Sequence, residues 1–306
     1  MSLRHFLELR DYSATELTEM LALSEELKQA AKNNTLARLL EGKTAALLFE
    51  KPSSRTRVSF QVALAQLGAT GIYLRQEDIG GLGQREPIKD LMRVLNGYVD
   101  VVIARVFKHA SLVEMARFAA MPVINALSDK THPCQAMADV LTIQEHCGRL
   151  EGLTVAYIGD GNNVAVSLAV ACARFGMKLR IASPPGYEAP AFLFDWLAQE
   201  GLNSQVIQLH DPRAAVEGAH VVYTDTWVSM GQEAEKQQRL QVFSGYQVNA
   251  ELLAEARPEV KVMHCLPAYR GLEITDEVIE THAKVIFDQA ENRLHFQRGL
   301  LAYLLR

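Results

Sequence analysis

The chain has 306 residues, 49% of them hydrophobic and 22% charged, which is enough for two globular domains with apolar cores. Its 31 lysines and arginines against 36 acidic residues give a formal charge of −5, which argues against a general attraction to nucleic acid. No apolar run reaches the roughly 18 to 20 residues of a membrane span, and residues 1–5 lack the core of a signal peptide. The four cysteines show no Cys-x-x-Cys spacing. We therefore expect a cytoplasmic protein without a structural metal.

Apolar residues at helical spacing predict a first helix over residues 13–31, capped by Ser13 or Thr15. Strands then alternate with helices, and this alternation predicts a parallel sheet with helices on both faces. The predicted strands are 44–49, 70–74, 101–105 and 122–125, and the predicted helices are 57–67, 86–97, 111–119 and 133–147.

The segment Gly148–Gly152 is the expected domain boundary, because a second alternating series begins after it. Its predicted strands are 153–158, 178–182, 205–209, 220–224, 260–263 and 284–287. A leucine-rich helix is predicted over 291–306. The fold class is thus α/β with two tandem domains, residues 1–148 and 149–306, each a parallel sheet with helices on both faces.

An anion site is predicted where the strand 44–49 runs into a helix that starts near Ser53. The turn carries Ser53, Ser54, Arg55, Thr56 and Arg57. A helix N-terminus with free N–H groups, hydroxyls and guanidinium groups suits a phosphate-type anion. The alternative is a capped helix with arginines in solvent, but the combination directly after a strand favours the anion.

Further polar residues fall just past the carboxyl ends of predicted strands, the edge where open parallel sheets bind ligands. They are Arg105, His132, Asn163, Asp225, Cys265 and Arg293. Each has an ordinary structural interpretation as well: a snorkelling arginine, a capping histidine, a turn-capping carboxylate or a small buried thiol. Their shared position predicts a single cleft with two halves.

The segment Gly159-Asp160-Gly161 also follows a strand and precedes an apolar helix. A dinucleotide fingerprint needs a third glycine three residues on, where Val164 stands. A nicotinamide-dependent dehydrogenase is therefore disfavoured, and NAD binding would be its test.

Five stretches together resemble the aspartate/ornithine carbamoyltransferase family, in the order and over nearly the length typical of it. The Asp-x-x-x-Ser-Met-Gly and His-Cys-Leu-Pro elements are similar to the ornithine branch. The stretches are 53–57, His132-Pro133-Cys134-Gln135, 225–231, His264-Cys265-Leu266-Pro267 and Glu291-Asn292-Arg293.

The resemblance implies transfer of the carbamoyl group of carbamoyl phosphate to L-ornithine, giving L-citrulline and phosphate. It implies no cofactor and no metal, an active site in the interdomain cleft, a terminal helix that returns to the first domain, and a homotrimer or a multiple of one. Neither nucleic acid nor membrane is an expected partner. The alternatives are another amine acceptor, putrescine or an acylated ornithine, and a non-catalytic binding protein.

The resemblance also implies roles for particular residues. The implied catalytic residues are Arg55, Arg105, His132, Asp225 and Cys265. The implied carbamoyl-phosphate ligands are Ser53, Ser54, Arg55, Thr56, Arg57, Arg105, His132, Pro133, Cys134, Gln135, Cys265, Leu266 and Arg293. The implied ornithine ligands are Asn163, Asp225, Ser229 and Met230. Cys265 is expected to position or accept a proton without forming a covalent bond.

Two loops need separate mention. In the family, a glutamine five residues before Glu86 reaches the neighbouring subunit's site, but Gly81 stands there, and Gln84 substitutes only if the loop shifts. The polar segment 232–239 is expected to lack a core face, and residues 229–239 are predicted to act as a lid.

Overall fold

The computed structural model describes residues 3–228 and 233–306. Contacts within the chain divide it into two units: unit 1 runs to Ala138 and includes Asn292–Arg306, and unit 2 is Asp139–Glu291. Both limits fall inside helices. The boundary at Gly148 stays a prediction.

Within the described residues, nine strands and twelve α-helices follow one another in largely alternating order. The strands are β1 Thr44–Phe49, β2 Thr70–Arg75, β3 Val101–Arg105, β4 Val123–Leu127, β5 Thr154–Ile158, β6 Lys178–Ala182, β7 Val206–Leu209, β8 Val221–Thr224 and β9 Lys261–His264. The helices are α1 Ala14–Lys32, α2 Ser54–Leu67, α3 Ile88–Leu95, α4 His109–Phe118, α5 Pro133–Cys147, α6 Asn163–Arg174, α7 Ala191–Gln199, α8 Pro212–Val216, α9 Lys236–Val242, α10 Ala250–Leu253, α11 Asp276–Thr281 and α12 Ala283–Leu305.

Unit 1 contains a parallel four-stranded sheet in the order β2-β1-β3-β4. The two central strands are buried along almost their whole length, as expected for a sheet covered on both faces. Phe49 and Arg105 are partners in register, so β1 and β3 end at the same level. This level is where α2 begins.

Unit 2 contains a parallel five-stranded sheet in the order β7-β6-β5-β8-β9. Tyr157 on β5 lies in register with Tyr223 on β8, and their buried rings stack at 5.7 Å. The helix α6 is buried from Val164 to Ala173, which matches its almost wholly apolar sequence. The carboxyl ends of β5, β8 and β9 therefore form one edge of this sheet.

The predicted α/β class with two parallel sheets is confirmed, and nine of the predicted strands lie within two residues of the observed ones. The strand predicted at 284–287 is wrong, because Ala283 begins α12, which continues to Leu305. A short apolar run such as Val285-Ile286-Phe287 does not distinguish a strand from a buried helix by periodicity. Within the described residues, no helix combines the length and apolar character needed to cross a membrane.

Candidate active site

The N-terminus of α2 has the geometry of an anion site. Ser53 is the N-cap: its Oγ accepts from the Thr56 N–H at 3.4 Å and donates to Thr56 Oγ1 at 3.0 Å. Ser54 and Arg55 occupy the first turn and are exposed. The first-turn N–H groups and the positive helix end thus point toward an accessible surface with a guanidinium group beside it.

Arg105 stands at the end of β3 and is only 5% exposed. Burial, together with the nearby charges of Arg293 and Arg55, lowers its pKa to about 10. Its Nε makes no hydrogen bond among the described residues, and neither Arg55 nor Arg105 forms an ion pair there. Concentrated positive charge without a carboxylate partner is the electrostatic requirement of an anion site.

His132 lies between the loop 128–131, which internal hydrogen bonds hold in place, and the start of α5. The loop is closed by the Ser128 N–H, which donates to the Thr131 oxygen at 3.0 Å, and by Asn125 Nδ2, which donates to Thr131 Oγ1 at 3.0 Å. Burial lowers the pKa of His132 well below its ordinary value, and Arg293 and Arg105 act in the same direction. The imidazole is therefore neutral at pH 7.

Arg293 joins α12 to the other elements of unit 1. Its Nη1 donates to Gln135 Oε1 at 2.6 Å, and its Nη2 approaches Thr56 Oγ1 at 3.4 Å. The sequence-based placement of Arg293 after a strand is wrong, because it lies within α12. The structure nevertheless brings it to Thr56, Gln135, Arg105 and His132.

Arg57 is directed elsewhere. Its guanidinium lies 3.9 Å above the Tyr73 ring, and its Nε donates to Gln61 at 3.2 Å. Two residues along a helix correspond to about 200° of rotation, so Arg57 and Arg55 cannot face the same way. The structure does not bring Arg57 to Arg105.

Cys134 is a packing residue in this structure. Its Sγ donates to the Asn125 carbonyl at 3.4 Å, and burial raises its pKa to about 12. Pro133 occupies the first position of α5, where its missing N–H is not needed.

The glycine loop between β2 and α3 shows how Gln84 and Gly81 are related. Gly81 adopts a φ of 84°, and Oε1 of Gln84 lies 2.6 Å from the point where a Cβ of residue 81 would stand. The Gln84 carboxamide thus fills the space in which a side chain at position 81 would begin.

In unit 2, both carboxylate oxygens of Asp225 accept hydrogen bonds. Oδ1 accepts from Cys265 Sγ at 3.0 Å and from the Thr226 N–H at 2.7 Å. Oδ2 accepts from Asn162 Nδ2 at 3.0 Å. The carboxylate is buried at the edge formed by β5, β8 and β9, and its orientation is fixed by these three donors.

Cys265 is a neutral thiol. Burial and the neighbouring Asp225 charge raise its pKa well above the ordinary value. The half-buried Leu266 follows, with a φ of 55° and a cis bond to Pro267. A protonated thiol that donates to Asp225 is suited to orienting that carboxylate, and it is a poor nucleophile.

His264 holds the turn after β9. The Leu266 N–H donates to its Nδ1 at 2.8 Å, so Nδ1 is an acceptor and Nε2 carries the proton shared with Glu273 Oε1 at 3.0 Å. Asp225, His264 and Cys265 offer ligand atoms within 4.8 Å of one another. Because both His264 nitrogens are already engaged, these three residues do not fit a metal ion without breaking the turn.

The sequence interpretation missed Asn162, which contacts Asp225. It is the N-cap of α6, with Oδ1 accepting from the Val164 and Ala165 N–H groups, and Nδ2 contacts Asp225. An asparagine before an apolar helix signals a cap, but nothing in the sequence signals the contact with Asp225. Asn163 lies next to it, half-buried in the first turn of α6.

Two of the residues assigned to ornithine, Ser229 and Met230, lie outside the described residues. The segment after them is anchored at Arg239, contrary to the expectation that it lacks a core face. Arg239 is 6% exposed, and its Nη1 donates to Asp160 Oδ2 at 2.8 Å and to the Trp227 oxygen at 3.1 Å. Lys236–Gln238 are exposed.

Two family models match the chain, one in each of its two alternating α/β series. The model described as aspartate/ornithine carbamoyltransferase, carbamoyl-P binding domain, matches residues 4–145, and the Asp/Orn binding domain matches residues 151–304. The chain belongs to the aspartate/ornithine carbamoyltransferase family.

Similar relatives within the family include several named ornithine carbamoyltransferase. Ornithine carbamoyltransferase of Thermococcus kodakarensis is 48% identical over 304 residues, covering 99% of this chain and 96% of the relative. That of Bacillus subtilis is 48% identical over 306 residues, covering 99% and 94%. The solved structure of ornithine carbamoyltransferase from Pyrococcus furiosus has a TM-score of 0.95 at 47% identity, covering 99% and 97% of the two chains.

Proposed function

We propose that this protein transfers the carbamoyl group of carbamoyl phosphate to the side-chain amine of L-ornithine, giving L-citrulline and phosphate. The observation that carries the proposal is the presence in one chain of both required half-sites. Arg55, Arg105 and the α2 N-terminus form a positively charged site for an anion. Asp225 and Cys265 form an acid–thiol pair. The relatives named ornithine carbamoyltransferase, at 46–48% identity over almost the whole chain, support the same reaction.

Carbamoyl phosphate is the substrate of the first half-site. Its phosphate binds to the N–H groups at the α2 N-terminus, with Ser53, Ser54 and Thr56 as hydroxyl partners and Arg55 and Arg105 as cations. Because Arg105 is buried and forms no ion pair with the described residues, a bound phosphate supplies the negative charge that balances its guanidinium. Stabilising the departing phosphate is the main electrostatic task of this site.

The carbamoyl carbonyl is polarised by neutral donors. His132 at the start of α5 is uncharged at pH 7, so it donates a hydrogen bond without adding to the positive charge of the nearby arginines. Gln135, whose Oε1 accepts from Arg293, supplies a second contact to the carbamoyl group. Backbone groups of Cys265 and Leu266 complete the set of carbamoyl contacts.

Ornithine is the substrate of the second half-site. Asp225 pairs with its side-chain ammonium, while Asn163, Ser229 and Met230 bind the amino-acid end. The ammonium has a pKa near that of lysine, about 10, so it must lose a proton before it attacks the carbonyl carbon. The first proton passes through Asp225 to solvent, and Asp225 orients the resulting neutral amine. The second proton, released as the C–N bond forms, is taken up by the leaving phosphate as the C–O bond breaks.

The thiol of Cys265 has a positioning role in this scheme. It donates a hydrogen bond to Asp225 Oδ1 and keeps its proton, so no covalent intermediate on sulfur is needed. The amine makes the new C–N bond directly, and holding both substrates in line supplies a large part of the rate, up to about 7 to 11 kcal/mol when geometry is ideal.

We also propose that the protein acts in the cytoplasm as a homotrimer or a multiple of one, which the family resemblance supports. Light scattering of the purified protein tests the assembly.

Acceptor profiling tests the function. The protein is incubated with carbamoyl phosphate and, in turn, ornithine, putrescine, N-acetylornithine or aspartate, and each product is identified by mass. Carbamoylated ornithine formed with one phosphate released per turnover is the expected result. Preferential carbamoylation of another amine would reassign the acceptor, and no phosphate release with any amine would contradict the enzyme.

A further inference from the structure

Asn162 connects the start of α6 with the carboxylate of Asp225. Its Oδ1 accepts from the Val164 N–H at 2.9 Å and from the Ala165 N–H at 3.2 Å, and the Tyr157 hydroxyl lies 3.4 Å away. Its Nδ2 donates to Asp225 Oδ2 at 3.0 Å. The Asn162 side chain thus caps α6 and also binds Asp225, the carboxylate proposed to pair with the substrate amine.

The helix cap dictates which way the amide faces. Two backbone N–H groups require an acceptor, so Oδ1 must point at α6 and the NH₂ group must point at Asp225. Serine and aspartate also cap helices, but neither offers an acceptor to the cap and an amide donor to a neighbour at once. Asparagine at this position therefore does more than capping requires.

The turn that carries Asn162 is held in place by its surroundings. The Gly161 N–H donates to the Tyr187 oxygen at 2.8 Å, and a Cβ at Gly161 would overlap the backbone of Glu188 and Ala189. Ile158 and Thr224, which end β5 and β8, are partners in register. Asn162 therefore faces Asp225 as a consequence of the sheet and not of a mobile loop.

We propose that Asn162 is a positioning residue for the amine substrate, an inference that rests on the function proposed above. Asn162 holds Oδ2 of Asp225 while Cys265 and the Thr226 N–H hold Oδ1. The carboxylate is thereby fixed about its last torsion angle, with its remaining lone pairs directed at the incoming ammonium. Asn162 acts through Asp225 and does not itself need to touch substrate.

The test is Asn162→Ser, which keeps a capping oxygen but removes the side-chain amide that donates to Asp225. Asn249→Ser is the matched control, because Asn249 caps α10 through the Leu252 N–H and does not contact Asp225. We expect Asn162→Ser to lower kcat/KM for ornithine about 10- to 100-fold, the range for loss of one hydrogen bond to a charged group. The KM for carbamoyl phosphate and the unfolding midpoint should change no more than in the control.

A second variant, Asn162→Asp, keeps a strong helix cap and places a carboxylate beside Asp225. Two such groups share a proton at low pH, so the deficit in ornithine use relative to the unmodified protein should shrink as pH falls. This variant also carries the test if Asn162→Ser does not fold.

Three outcomes separate the hypotheses. Ornithine kcat/KM within twofold of normal in folded Asn162→Ser, or a deficit in Asn162→Asp that does not vary with pH, overturns the inference about Asn162. Equal losses for both substrates, matched by Asn249→Ser, also overturn it, since that pattern reports helix stability alone. If the unmodified protein carbamoylates no ornithine, the proposed function itself fails.

Discussion

Arg293 Nη1 lies 2.6 Å from Oε1 of Gln135, although the two residues are 158 positions apart in the chain. The same guanidinium reaches Thr56 Oγ1 at 3.4 Å, so one planar cation fixes both a residue of α5 and a residue in the first turn of α2. Its placement explains how a residue in the last helix belongs with the anion site of unit 1.

Arg293→Lys keeps the charge but loses the forked geometry, because an ammonium cannot hold two partners in one plane. We expect the KM for carbamoyl phosphate to rise about tenfold or more, while ornithine binding to the second half-site changes little. Steady-state kinetics with each substrate varied in turn measures this. A loss confined to ornithine would mean that Arg293 does not serve the first half-site.

Arg55→Ala should lower kcat/KM for carbamoyl phosphate about 10²- to 10³-fold, the usual effect of removing one preorganised electrostatic donor. The contrasting variant is Arg57→Ala, whose guanidinium is occupied by Tyr73 and Gln61. We expect this second change to cost less than about tenfold. Near-normal turnover in Arg55→Ala would refute its role.

Asp225→Asn retains the shape of the side chain and removes the charge that meets the ammonium. Ornithine kcat/KM should fall by at least about 10²-fold, since an amide pairs poorly with an ammonium and disturbs its neighbours Cys265 and Asn162. Calorimetric titration with carbamoyl phosphate should give an almost unchanged Kd. Equally weakened use of ornithine and binding of carbamoyl phosphate would mean that Asp225 does not serve the ornithine half-site.

Cys265→Ser preserves a donor to Asp225, so kcat should fall by less than about tenfold if sulfur forms no covalent bond. Because burial and Asp225 raise the pKa of the Cys265 thiol well above its ordinary value, alkylation of this residue at pH 7 should be slow. Mass analysis after iodoacetamide treatment measures the modification. A loss of several orders of magnitude in kcat would instead indicate nucleophilic chemistry.

His132 links stability to pH. Its folded-state pKa lies well below 6.5, so as pH falls through 6.5 the unfolded chain binds a proton that the folded chain does not, and stability is lost. Between pH 7 and 5.5 this one group should remove about 1 kcal/mol. Urea unfolding of the unmodified protein and of His132→Gln should differ in pH dependence by that amount, and identical slopes would contradict a neutral buried His132.

The local elements of the fold could be predicted from the sequence, because their signals lie within a few residues. Apolar runs between turn residues located nine strands to within two residues. Ser53 marked the N-cap of α2, which begins at Ser54, three residues before the helix predicted from periodicity alone. The motif residues Arg105, His132, Asp225 and Cys265 were found because parallel strands end at one edge. The strand at 284–287 failed because a short buried run has no period of its own.

The directions in which the polar side chains point could not be predicted from the sequence. The sequence does not distinguish Arg55 from Arg57. Only the contact between the Arg57 guanidinium and the Tyr73 ring shows that Arg57 points away from Arg105. Asn162 reads as a helix cap, and its second role exists only because β8 places Asp225 beside it. The sequence by itself determined which elements form and where a helix end gathers charge, since hydrophobic period and capping act locally. Only the tertiary structure decided which polar groups meet, because those contacts join residues separated by 40 to 237 positions in the chain.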